Sequence, residues 1–451
     1  MFLAVVFVFA AMAGAEENIE PLVIQPSDRI LILAPHPDDE AIATAGVLQE
    51  ALKRHVAVKI VYLTNGDNNE LAFMVYKKRP ILSRTGLLRM GELRRQESIR
   101  AMKALGLRED QLVFLGYPDF GTFNIFTRYW GERKAYKSLL TRVTSVPYPD
   151  SLSPEAPYKG ESILGDLEKV LGDFKPTKIF VSHPADTNGD HRALYLFLQV
   201  AMWDLEKFLP KVETFPYLVH VTGWPKPRGF HPEDRLEIPG KFSSRGSFWF
   251  TLDLSPAAVD KKKETIGYYK TQIEYNPKYL VTFARSNELF GRFREVRLKD
   301  PGNQSIDWTR LEVDEQIDSY LSAEEEGKAK VINSLTYAVK DRVLYVRINS
   351  KEWMEEFSEM DLFLVGYKYN MSFAKMPKYR VRIARNKKVT VFEKGRPVFM
   401  KDIKVEFKGQ DVLISCPLKV LENPNYILSS ARTRFLELPI DATAWRVLRL
   451  E

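Results

Sequence analysis

Over the first 300 residues, short apolar runs alternate with longer amphipathic stretches. Residues 30–34 (I-L-I-L-A) are apolar without interruption and follow the polar Ser27, Asp28 and Arg29, the pattern of a strand buried on both faces. Residues 41–54 are mostly good helix formers, with one glycine at Gly46, and predict a helix. The alternation repeats. Strands are expected at 56–63, 112–115 and 178–182, and helices at 91–107 (apolar at Leu93, Ile99, Met102 and Leu105, stopping at Gly106), 162–174 and 192–209. Repeating strand-helix units predict an α/β fold around a mostly parallel sheet, which binds ligands in the loops at the carboxyl ends of its strands.

Other stretches lack a clean period. Residues 67–90 are basic and irregular, read as a solvated or functional loop. Residues 122–158 are rich in Tyr, Arg and Pro and suggest an insertion or a lid over the strand tips. The Pro- and Gly-containing residues 224–246 read as connection, and 255–275 as a further helix. Near residue 298 the chain turns polar, and beyond it the apolar period shortens to two, at 343–348, 379–383, 403–407 and 412–415. Short strands at close spacing predict an all-β sandwich. The expected organisation is therefore an α/β domain over 16–298, a linker over 299–327 and a β-sandwich over 328–451.

Composition refines this picture. With 45% hydrophobic and 28% charged residues, the chain has the make-up of a globular protein. The net charge of +7 is dispersed, without a Lys/Arg block or nucleic-acid motif, so no nucleic-acid partner is expected and the excess favours anionic surfaces or glycans. Residues 1–15 are apolar and end in Ala13-Gly14-Ala15, resembling a cleavable secretory signal. That predicts export to the periplasm or exterior of a bacterial envelope, with no transmembrane span once the signal is removed. The lone cysteine, Cys416, excludes an internal disulfide.

The candidate chemistry lies at two strand tips. Of six histidines, His36 falls in P-H-P-D-D-E (35–40), and His183 and His191 in H-P-A-D-T-N-G-D-H (183–191). His36 and Asp39 can converge on one ion and His191 can reach it from a neighbouring strand tip, giving a two-His, one-carboxylate set suited to Zn2+. Asp38 is then free to act as a base toward a water, and Glu40 to support the site or cap the helix. The plain alternative for either cluster alone is a helix cap. A calcium loop beginning at Asp186 fails, because its sixth position is His191 and its twelfth Phe197.

Together the two motifs resemble the PIG-L or LmbE-like zinc-dependent de-N-acetylases. L-T-N-G-D (63–67), R-R-Q-E beginning at Arg94, F-L-G-Y-P-D ending at Asp119 and the K…T-Q…E-L-F pattern over 262–290 extend the resemblance to about residues 28–296. It implies a Rossmann-like sheet, zinc on His36, Asp39 and His191, a general base at Asp38, a second layer at Asp190, substrate binding by Arg94, and removal of acetyl from an N-acetylated amino sugar such as an N-acetylglucosaminyl glycan. Several family members carry H-x-D-H where this chain has Asn188. An amide there can donate to an oxyanion but cannot act as an acid. Amine protonation would then fall to Asp38, or to His183 if it reaches the site. The C-terminal region weakly resembles sandwich domains of secreted carbohydrate-active enzymes, mainly at its end around Trp445, and is expected to contact polysaccharide or to serve as a scaffold. Two rivals remain: an inactive glycan-binding protein, and a zinc amidase acting on a non-sugar amide.

Overall fold

The computed structural model describes residues 19–68, 83–242, 247–306, 308, 312–313, 317–319, 332–350, 359–435 and 438–451. The expected signal and most of the expected basic loop and linker lie outside these residues. Among the described residues an α/β region contains β1 (Ile19–Pro21), β2 (Arg29–Ala34), α1 (Asp39–Lys53), β3 (Ala57–Thr64), α2 (Arg84–Leu105), β4 (Leu112–Tyr117), α3 (Thr122–Arg128) and α4 (Gly160–Phe174). It continues with β5 (Lys178–Ser182), α5 (Gly189–Asp204), β6 (Glu213–Tyr217), β7 (Ser247–Asp253), α6 (Pro256–Ile266), α7 (Lys270–Tyr275) and β8 (Asn287–Phe293).

The sheet order is β1-β7-β8-β6-β5-β2-β3-β4. Strands β6, β5, β2, β3 and β4 run parallel, whereas β8 is antiparallel to both β6 and β7. The chain moves outward from β2 to β3 and β4, then returns to the other side of β2 through β5. That reversal opens a crevice above β2 and β5, where such sheets bind ligands. The apolar run of β2 follows from its position: Ile30, Ile32 and Ala34 enter one core and Leu31 and Leu33 the other, on opposite faces.

Local chemistry moved some boundaries. Helix α2 begins seven residues before the expected position, because the Ser83 side chain accepts the Gly86 N–H at 3.1 Å and caps it. It ends at Gly106, whose φ of 112° suits glycine. The expected helix over 255–275 is two helices, with α6 ending at Gly267. Residues 129–159 do not stand free as a lid. Trp130, Tyr136, Val146 and Tyr158 are core residues, and Leu152 N–H bonds Phe114 O at the edge of β4.

The C-terminal region is all-β. Two antiparallel sheets, one built on Ile332–Lys340, Val343–Ser350 and Asp411–Pro417, the other on Glu359–Tyr367, Lys378–Ala384 and Tyr426–Phe435, enclose one core. Two short strands in the expected linker, Glu312–Val313 and Ile317–Ser319, join these sheets, and Val296–Leu298 pairs with Arg446–Leu450. The outer face of the larger sheet packs on the α/β region: Phe363, Val365, Tyr367 and Leu428 share a core with Phe126, Trp130, Phe197 and Trp203. Trp445 is buried there against Phe123 and Phe363, so it offers no platform to a sugar. No helix among the described residues is long and apolar enough to cross a membrane.

Cys416 lies fully buried in the sandwich core, and burial pushes its thiol up to about 12. It is therefore expected to resist alkylation in native buffer and to react only after unfolding, which mass spectrometry of iodoacetamide-treated protein will show. Rapid native labelling would mean that the sandwich opens.

Candidate active site

Strand β2 delivers residues 35–40 to the mouth of the crevice, and the β5–α5 loop delivers 183–191 from the other side. Three atoms converge there. Asp39 Oδ2 lies 3.4 Å from His36 Nδ1 and 3.3 Å from His191 Nε2, and the two nitrogens are 3.3 Å apart. This near-equilateral triangle fits one ion: ligands at about 2.0–2.1 Å from a tetrahedral zinc are about 3.3–3.4 Å from each other. His220 is a fourth candidate, with a ligand atom within 4.8 Å of the other three.

The far side of each ring faces acid. His36 Nε2 meets Asp190 at 3.3 Å and Asp119 at 3.1 Å. His191 Nδ1 lies 3.2 Å from Asp186, off the axis of a well-aligned hydrogen bond but close enough to favour the proton on that nitrogen. Both arrangements leave the inward nitrogens with lone pairs for a cation. Burial works against charge on these rings, yet the surrounding carboxylates prevail. Asp119 foremost holds His36 well above its ordinary value, and Asp186 and Asp39 push His191 up to about 9. Burial would raise Asp39, but His191 and His36 hold it well below the usual carboxylate range. The donor set thus fits a divalent cation.

Asp38 is set apart from this cluster by its backbone. As the residue preceding α1 it has φ 129° and ψ −29°, a strained conformation for a non-glycine residue. Glu40 sustains it by accepting the Asp38 N–H at 3.0 Å, while the hydroxyls of Tyr62 and Tyr269 donate to the other Glu40 oxygen. Glu40 therefore supports the backbone of Asp38, not a histidine. Burial pushes the Asp38 carboxyl up to about 8; Arg94 opposes the shift and Asp39 adds to it.

Arg94 is buried beneath the loop. It donates to Asp38 Oδ2 at 3.3 Å, Pro37 O at 2.9 Å and Gly66 O at 3.0 Å, and is absent from the lining of the crevice cavity. A side chain at Gly66, where φ is +66°, would collide with this guanidinium. Asp190 accepts from Thr122 and Phe120 while facing His36, so it fixes the orientation of that ring. Asn188 caps α5 by accepting the Asp190 N–H at 2.8 Å and is also absent from that lining. His183 is buried among Phe242, Trp249 and Phe293, and burial lowers it to about 3.

The cavity over the cluster has a volume of about 430 Å³ and is bounded by Asp38, Asp39, Thr187, His220, Arg228 and Tyr279, among others. Its size suits a small ligand. Sequence reasoning did not assign His220, Asp119 or Asp186. His220 follows β6 as His183 follows β5, so the strand-tip rule would have found it had β6 been recognised. Asp119 stands in the turn-rich loop that follows β4, a loop legible in the sequence and matched by the resemblance, but without a role assigned to Asp119.

Asp186 holds His191 and also accepts from the N–H groups of Val219, His220 and Asn188. Asp186→Asn is expected to weaken any divalent-cation binding at this cluster by about 10–100-fold, because an amide no longer fixes the His191 proton. Competition with a chromogenic chelator measures this, and unchanged affinity would exclude the role.

Fold and site together define an α/β protein with a His/Asp cluster able to hold a metal ion beside a separate carboxylate at the topological switch point. Residues 31–202 match the family model PIG-L, described as GlcNAc-PI de-N-acetylase. The 1D-myo-inositol 2-acetamido-2-deoxy-alpha-D-glucopyranoside deacetylases of Mycobacterium sp. strains KMS and JLS are each 26% identical to this chain over 195 residues, covering 42% of it and 56% of theirs. The chain thus spans little over half the length of these curated relatives. Among solved structures, the N,N'-diacetylchitobiose deacetylase of Pyrococcus horikoshii is 19% identical, with TM-score 0.37, over 59% of this chain and 84% of that one. The 4-carboxy-2-hydroxymuconate hydratase GalB of Pseudomonas putida KT2440 is 16% identical, with TM-score 0.33, over 62% and 100%.

Proposed function

We propose that the chain is a zinc-dependent hydrolase that removes the N-acetyl group from an N-acetylated amino sugar and releases acetate. The observation that carries this reading is the triangle of His36 Nδ1, Asp39 Oδ2 and His191 Nε2 with Asp38 beside it on the cavity wall. The family match and the mycobacterial deacetylases support the substrate class. Two imidazoles and a carboxylate suit zinc, which when bound polarises an amide carbonyl and acidifies water.

This chain's own residues do the rest. Asp38 takes the proton of the attacking water; the water oxygen joins the carbonyl carbon. Asp38 then returns the proton to the amide nitrogen as the C–N bond breaks, leaving acetate and a free amine. His183 is walled off from this path. Arg228, Gln272 and Asn276 on the cavity wall are donors for sugar hydroxyls. His220 offers one more nitrogen to the ion or the substrate.

Acetate release from a panel of N-acetylated hexosamines and their glycosides, with zinc added or chelated, tests the reading. Zinc-dependent release from at least one sugar is expected. Release confined to non-sugar amides would assign the chain to a different amidase, and binding without product would leave only a glycan-binding role. We further propose export to a bacterial envelope, supported by the composition of residues 1–15; N-terminal sequencing of the protein from its cells checks it.

A further inference from the structure

A second polar cavity, of about 250 Å³, lies where α3 meets the larger sheet of the sandwich, and its lining includes Asn124, Thr127, Arg128, Arg380, Arg432 and Arg434. Period-two alternation builds it. In Glu359–Tyr367 and Lys378–Ala384, residues Met360, Leu362, Leu364, Val381 and Ile383 enter the sandwich core, so Asp361, Phe363, Arg380 and Arg382 face the other way, toward α3. On the neighbouring strand Arg432 stands opposite Asp361 and Arg434 opposite Glu359. The alternation of Y-R-V-R-I sets its arginines on one face, and α3 lies against that face.

The result is a concentration of positive charge in a half-covered space. Asp361, fully buried, is shared by Arg382 at 2.9 Å, Arg432 at 3.2 Å, Arg434 at 3.7 Å and Arg380 at 3.8 Å. These four arginine side chains are only 12–19% exposed. Arg128 joins them from the last turn of α3, its stem packed over Gly395, and its guanidinium makes no hydrogen bond or ion pair among the described residues. Burial lowers Arg380 to about 10, with Arg382, Arg128 and Arg434 adding to the effect and Asp361 opposing it. Like charges held together out of water are costly unless an anion joins them.

We propose that this cavity binds a doubly charged tetrahedral oxyanion, a phosphate or sulfate group carried by a small ligand, held between Arg128 and Arg380 with Asn124 as a further donor. Guanidinium forks match the oxygen spacing of such groups. The site does not depend on the proposed deacetylation, and its lining shares no residue with the cavity over the His/Asp cluster.

Isothermal titration of the full chain with inorganic phosphate, with sulfate and with glucosamine 6-phosphate, in chloride buffer of constant ionic strength, tests this. Saturable binding of at least one of them is expected, weakened at least tenfold in both Arg128→Gln and Arg380→Gln. The probe that binds tightest separates a free oxyanion from a phosphorylated sugar. Phosphate and sulfate also stabilise proteins generally by exclusion from their surface, so saturation and loss in the variants are the criteria, not a rise in melting temperature. Absence of saturable binding in the wild type overturns the proposal. So does binding that persists unchanged in both variants, which would place it at the metal centre or elsewhere. Should Arg380→Gln fail to fold, the wild-type titration and Arg128→Gln, whose guanidinium holds no part of the fold, still decide.

Discussion

Asp38→Asn is expected to lower acetate release by about 10²–10⁴-fold, the usual contribution of a positioned proton-transfer group, while zinc content stays that of the wild type. The expectation rests on how the loop divides two adjacent carboxylates. Asp39 is turned into the cluster, where the His36 N–H and both ligand rings meet it. The strained φ of Asp38 turns its carboxylate the other way, against Arg94 and onto the cavity. Glu40 and Arg94 fix that geometry from beneath, and neither depends on the Asp38 charge for its other bonds. The amide variant is nearly isosteric, so it leaves the fold and the ligands intact and removes only the ability to take a proton. Metal analysis beside a steady-state acetate assay measures both quantities. Turnover within about twofold of wild type would end the base assignment, and loss of zinc would mean that Asp38 acts on the metal site itself.

The second large effect is expected far from the chemistry. Glu288 on β8 is fully buried and accepts from Lys262 Nζ at 2.7 Å, Gly46 N–H at 2.7 Å and Val47 N–H at 2.9 Å. It thereby ties α6 and the middle of α1 to the sheet. Gly46 explains itself here, since a Cβ at that position would meet the Glu288 carboxyl at 2.9 Å and Leu254 at 2.4 Å. Burial lowers Lys262, and Glu288 opposes that shift. Glu288→Leu would strand one buried ammonium and two backbone donors, a loss of about 3–5 kcal/mol against a typical total stability of about 5–15 kcal/mol. Lys262→Met should cost less, because the carboxylate keeps its two N–H partners. Urea denaturation of both variants gives the order; equal midpoints for Glu288→Leu and the wild type would show that the pair contributes nothing.

Much of the α/β region could be read from the sequence because its physics is local. A run such as I-L-I-L-A has only one comfortable place, inside a sheet covered on both faces, and a helix-forming stretch after it sets a strand-helix unit. The antiparallel β8 and its neighbour β7 escaped, since a strand's direction and neighbours depend on residues distant in sequence. The same limit applied to the C-terminal region, where alternation revealed strands but not that the arginine-bearing face would be covered by α3.

The candidate site divides along the same line. By itself the sequence determined that His36, Asp38 and Asp39 share one strand tip and His191 another, because strand, loop and helix follow from nearest-neighbour chemistry. Only the tertiary structure decided what each group does there. It brought Asp119, Asp186 and His220 to the cluster, turned Asn188 into a cap, buried His183 in an aromatic cage and set Arg94 beneath Asp38. A side chain's role depends on which charges and donors lie within a few ångströms of it, and that is fixed by how β2, β5 and β6 lie side by side, not by the order of residues along any one of them.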